Sequence, residues 1–136
     1  MFNLPPPPGF QGLREDLPLE CYMRHMPHWR QVGATYVVAF RLADSVPKAK
    51  RDELAQLRDE WLRRHPEPRT REDLEEFASL VYRRVEVMLD AGHGDCCLKQ
   101  KEVAKLVVDP MHHFDGDRYE LDCYVVMPNH VHVVFR

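Results

Sequence analysis

Tyr119-Glu120-Leu121-Asp122-Cys123-Tyr124-Val125-Val126-Met127-Pro128-Asn129-His130-Val131-His132-Val133-Val134-Phe135 decides the architecture. Its first half alternates apolar and polar residues, and its end is β-branched and apolar, as a strand requires. Met127-Pro128-Asn129 reverses the chain, and a second strand follows over 130–135, so the stretch predicts a β-hairpin. Working outward, residues 34–42 are β-branched and aromatic between Gly33 and the Asp44-Ser45 turn, which predicts a third strand. Apolar residues on both of its faces suggest a central position.

Helices fill the space between. Leu54, Leu57, Trp61 and Leu62 recur at helical spacing over 48–65, with Pro47 near the start and Pro66 beyond the end. A second helix is expected from Thr70, a good N-cap with Asp73 three residues on, to Asp90, with Gly92 as its stop. A third covers 99–114, with Pro110 kinking or splitting it. Asp115-Gly116-Asp117 is a turn. Strands and helices in this order predict an α+β fold. Residues 1–32 hold six of the 11 prolines and read as an extended arm, whereas 33–136 carry the folded domain.

With 136 residues, 44% apolar and 30% charged, the chain suits one globular domain with its own core. No apolar run reaches membrane-spanning length, and the N-terminus lacks a basic, then apolar, leader pattern. The expected location is therefore the cytoplasm, with no membrane partner. Nineteen Lys and Arg against 22 Asp and Glu exclude an overall basic, histone-like nucleic-acid binder. Residues 41–90 hold 11 basic and 12 acidic side chains, which suits solvated helix faces rather than a phosphate-binding stripe.

Cys21, Cys96, Cys97 and Cys123 include no C-x-x-C pair and read as reduced thiols. His93, in the loop Gly92-His93-Gly94, could join Cys96 and Cys97 around zinc, but a fourth ligand at suitable spacing is missing. His65 suits a helix C-terminus, His112 and His113 are adjacent and make a poor chelate, and His25 and His28 lie in a polar, proline-containing stretch. His130 and His132 differ. Two residues apart on a strand, they project from the same face, with Val131 opposite. By spacing alone they fit two roles equally: ligands of one divalent cation, or polar caps of a hairpin end.

The segment Met127-Pro128-Asn129-His130-Val131-His132-Val133-Val134 resembles the histidine–hydrophobe–histidine motif of the HUH single-tyrosine transposases, and more narrowly the REP-associated tyrosine transposases. The strand over 33–42 and the loop over 89–96 are similar to that group as well, so the resemblance spans 33–136. It implies a ferredoxin-like antiparallel sheet with helices on one face and the histidines on a central strand. It also implies metal-dependent cleavage and rejoining of single-stranded or hairpin DNA through a 5′-phosphotyrosine, the chemistry of DNA transposition and recombination in mobile elements. A covalent intermediate conserves the phosphodiester bond for resealing, and a hard cation stabilises charge on phosphate oxygens. Carried over by motif, His130 and His132 are the ligands of Mg²⁺ or Mn²⁺, and Pro128 and Asn129 shape the turn before them.

In that family the nucleophilic tyrosine lies on a helix after the histidine strand. Here Tyr22, Tyr36, Tyr82, Tyr119 and Tyr124 all precede it, and the chain closes at Arg136. The expectation is a domain incomplete at its C-terminus that carries the metal half of the site, with an exposed sheet edge after 130–135 open to homodimer formation. A DNA-binding or interaction remnant without catalysis, or a small metal-binding protein, are the alternatives.

Overall fold

The structure, a computed structural model, describes residues 9–23 and 27–136, so the Pro5–Pro8 run and His25 lie outside the described residues. The elements in chain order are β1 (Glu20–Met23), β2 (Pro27–Arg30), β3 (Tyr36–Arg41), α1 (Lys48–Arg64), α2 (Arg71–Asp90), a 3₁₀ turn (Cys97–Lys99), α3 (Lys101–His113), β4 (Leu121–Val126) and β5 (His130–Phe135). The fold is α+β. β1 and β2 form an antiparallel hairpin, and β3, β5 and β4 form a separate antiparallel sheet in that order. The small hairpin was not legible in a proline-rich segment without strand periodicity.

β5 is the central strand, paired with β3 from Arg41↔His130 to Tyr36↔Phe135 and with β4 from Val126↔Val131 to Leu121↔Phe135. Two sequence expectations are corrected here. β3 lies at an edge, and its apolar residues do not mean burial on two faces: Val37, Val38 and Phe40 are all exposed. The expected free edge at 130–135 does not exist, because β5 has a neighbour on each side and the edges fall at β3 and β4.

The core has two parts. One face of β5 places Val131 and Val133 against Leu98 and Met111, with Val103 and Val107 of α3 packed around them. Val131 is fully buried, worth about 1.5–3 kcal/mol relative to leaving it exposed. The second cluster joins α1 to α2 through Trp61, Phe77 and Val81, where the rings of Trp61 and Phe77 stack at 4.5 Å. His65 completes that stack against Trp61 and sits at the C-cap of α1.

α2 begins as its sequence dictates. The Thr70 side chain accepts from the Asp73 backbone N–H at 3.1 Å, and Asp73 accepts from the Thr70 N–H at 2.9 Å. α3 runs unbroken past Pro110 to His113, since a proline in the last turn removes only one N–H from the ladder. Among the described residues no helix is long and apolar enough to cross a membrane.

Candidate metal centre on the central strand

Alternation along β5 puts His130 and His132 on the sheet face opposite α3. Their rings meet edge to face with centroids 4.8 Å apart. His130 is 1% exposed, and burial followed by its neighbour His132 pushes its pKa below the ordinary 6.5. The charges of Glu86 and Asp90, one turn apart on α2, act in the opposite sense.

Asn129 does more than shape a turn. It is buried, and its Nδ2 donates to the backbone carbonyls of Leu89 at 3.2 Å and His93 at 3.0 Å. Its Oδ1 then faces His130 Nδ1 at 2.8 Å. An amide oxygen only accepts, so Nδ1 carries the imidazole proton and Nε2 keeps its lone pair. That Nε2 atom is buried and, among the described residues, has no hydrogen-bond partner. Pro128 contributes its carbonyl, which accepts the Leu98 N–H at 3.2 Å and holds the turn against the 3₁₀ segment.

α2 supplies a residue that sequence reasoning missed. Glu86 Oε2 lies 3.4 Å from His132 Nε2, and Glu86 Oε1 is buried without a hydrogen-bond partner among the described residues. Glu86 is one of many acidic residues on a helix read as a solvated face, and the sequence contains no signal that would set it apart. Two imidazoles and a carboxylate are the donor types for Mn²⁺ or another first-row divalent ion. Among the described residues no group of three or more His, Cys, Asp or Glu side chains is set closely enough to hold a metal as it stands. The two orphaned atoms, His130 Nε2 and Glu86 Oε1, are nevertheless those a cation would satisfy. Of the three side chains Glu86 has the most torsional freedom to close on it.

Among the described residues, His93, Cys96 and Cys97, considered together for zinc, are not gathered into a metal-binding group. His93 is used through its carbonyl, and the Cys96 thiol donates to the Gly92 carbonyl at 3.3 Å. Gly94, at φ +88°, is required in this loop because a Cβ would stand 2.7 Å from the Asp44 carboxyl group. Asp44 in turn accepts the Asp95 N–H at 2.8 Å and anchors the loop.

Most tyrosines are engaged elsewhere. Tyr36 donates to the Gln31 carbonyl at 3.0 Å, Tyr119 to the Met111 carbonyl at 2.7 Å, and the Tyr124 hydroxyl meets His112 Nε2 at 3.1 Å. Tyr22 stacks on His28 in the β1–β2 hairpin. Tyr82 lies one turn before Glu86 on α2, and burial, then the charges of Glu86 and Asp90, raise its pKa above 10. No family model, no curated protein and no solved structure matches the chain. What it does therefore rests on the geometry of its own residues.

Proposed function

We propose that this chain is a transposase-type DNA-binding domain of the HUH single-tyrosine class, with a divalent cation held by His130, His132 and Glu86. The observation that carries the reading is the unpartnered Nε2 of His130, buried beside His132 and the equally unpartnered Glu86 Oε1. A structural histidine in a core has both nitrogens satisfied. A ligand histidine has one nitrogen oriented by a neighbour and the other left for the metal. Asn129 is that orienting neighbour.

A divalent ion at this site, Mn²⁺ in preference to Mg²⁺ because two donors are imidazoles, would polarise a phosphodiester oxygen. The chain's own part is to hold His130 neutral by burial, to fix its tautomer through Asn129, and to present Glu86 from α2. The substrate class is single-stranded or hairpin DNA, and a cytoplasmic location goes with the same reading.

Binding without cleavage is the second reading, favoured by the tyrosines. Four of the five make contacts elsewhere, and burial, then the carboxylates of Glu86 and Asp90, raise the pKa of the fifth, Tyr82. Titration of the purified chain with Mn²⁺, followed by electron paramagnetic resonance, tests the metal site. Anisotropy of a labelled hairpin with a single-stranded tail tests DNA binding, and a denaturing gel tests for a covalent adduct. We expect Mn²⁺ binding that His130→Ala abolishes, and tighter DNA binding with Mn²⁺ present. An adduct supports strand transfer, and its absence supports binding alone. A wild-type chain that binds neither Mn²⁺ nor DNA refutes the proposal.

A further inference from the structure

α1 and α2 do not close fully on each other. Between them and the end of β3 lies a cleft of roughly 620 Å³, within the size range of small-molecule sites. Its floor is apolar, with Leu54 and Ala55 from α1 and Val85 from α2, backed by the buried Phe77 and Val81. Its rim is basic. Arg41, Lys48, Arg51 and Arg58 line it against the single carboxylate of Asp52, and Arg58 also pairs with Asp59 at 2.8 Å. The balanced charge of the two helices in sequence therefore conceals a local excess of cations in space.

The cleft adjoins the histidine pair. Arg41 on its wall is the register partner of His130, and Val85 on its floor immediately precedes Glu86. Successive residues on a helix point about 100° apart, so α2 is a ridge with the cleft on one flank and the histidines on the other. Resting on the proposed DNA-binding function, we infer that this cleft is a subsite for one nucleotide of single-stranded DNA, the neighbour of the phosphate at the histidines. The apolar floor takes the base, which buries apolar surface without reading its edge, and the basic rim takes the flanking phosphates. Arg41 bridges the two sites.

The test pairs Lys48→Ala/Arg51→Ala, both on exposed positions, with a cleft-filling Ala55→Leu variant. Each is measured against a single-stranded oligodeoxynucleotide carrying 2-aminopurine, and thermal melts check that each variant folds as the wild type does. The double variant should lose at least tenfold in affinity, and its salt dependence should fall by about 0.7 in log–log slope for each phosphate contact removed. Ala55→Leu should abolish the 2-aminopurine signal while the salt slope stays unchanged. Mn²⁺ binding at His130 should be unaltered in both. Wild-type affinity and slope in the double variant, with DNA still bound, overturn the subsite and leave the proposed function standing. Failure of the wild type to bind any single strand, with Mn²⁺ binding retained, removes the DNA reading and the subsite with it. Binding of free deoxynucleoside monophosphate alone, sensitive to the same variants, overturns the inference in favour of a mononucleotide site.

Discussion

Asn129 Oδ1 accepts the Nδ1 proton of His130 at 2.8 Å, and this one bond settles which nitrogen of the histidine is left for chemistry. The same amide holds the carbonyls of Leu89 and His93, so the C-terminal end of α2, the following loop and the central strand meet at one side chain. The site is thus oriented by a residue that is itself buried and has both ends of its amide engaged.

Asn129→Ala should leave two backbone carbonyls and the His130 Nδ1–H without this partner. A loss of about 2–3 kcal/mol is expected, as for other buried polar groups stripped of a partner. Urea unfolding of the metal-free chain checks it. Mn²⁺ affinity should fall by about 10–100-fold, the usual cost of removing a group that orients a ligand histidine.

The depressed pKa of His130 has a sign. The unfolded chain takes up this proton near pH 6.5, whereas the folded chain resists it because of burial and His132. The unfolded state therefore binds more protons between the two values, and stability falls as pH drops through 6.5 towards the folded pKa. Melting temperature recorded with a chelator present should fall more steeply below pH 7 in the wild type than in His130→Gln. Equal slopes would contradict the assignment.

Phe77 is fully buried between α1 and α2 and stacks on Trp61. Phe77→Ala should cost about 3–5 kcal/mol. Because this cluster is separate from the one under β5, equilibrium unfolding followed by far-ultraviolet circular dichroism should register loss of helix at lower urea.

The capping box at the start of α2 is exposed and local. Thr70→Ala should destabilise the chain by about 1 kcal/mol, and Thr70→Ser should restore most of it. Thermal denaturation distinguishes the two.

Local pattern was enough for much of this. The helical spacing of Leu54, Leu57 and Trp61, the Thr70–Asp73 cap and the turn at Met127-Pro128-Asn129 each follow from neighbours within a few residues. The shared face of His130 and His132 follows from the two-residue period of a strand. Chain neighbours alone determine these features. Strand order, the partner of His132 and the charge of the cleft depend on residues far apart in sequence. β3 carries the apolar run of a buried strand yet sits at an edge, because β5 took the centre by pairing on both sides. Glu86 looks like any solvent-facing carboxylate until the packing of α2 brings it within 3.4 Å of a histidine 46 positions later. Arg41 and Lys48 became one rim only when α1 folded back beside the end of β3. The sequence by itself therefore determined the elements and the paired histidines, through local sterics and periodicity. Which carboxylate faces them, and where positive charge gathers, was decided by tertiary packing, since Coulomb interactions and burial depend on distance in space and not along the chain.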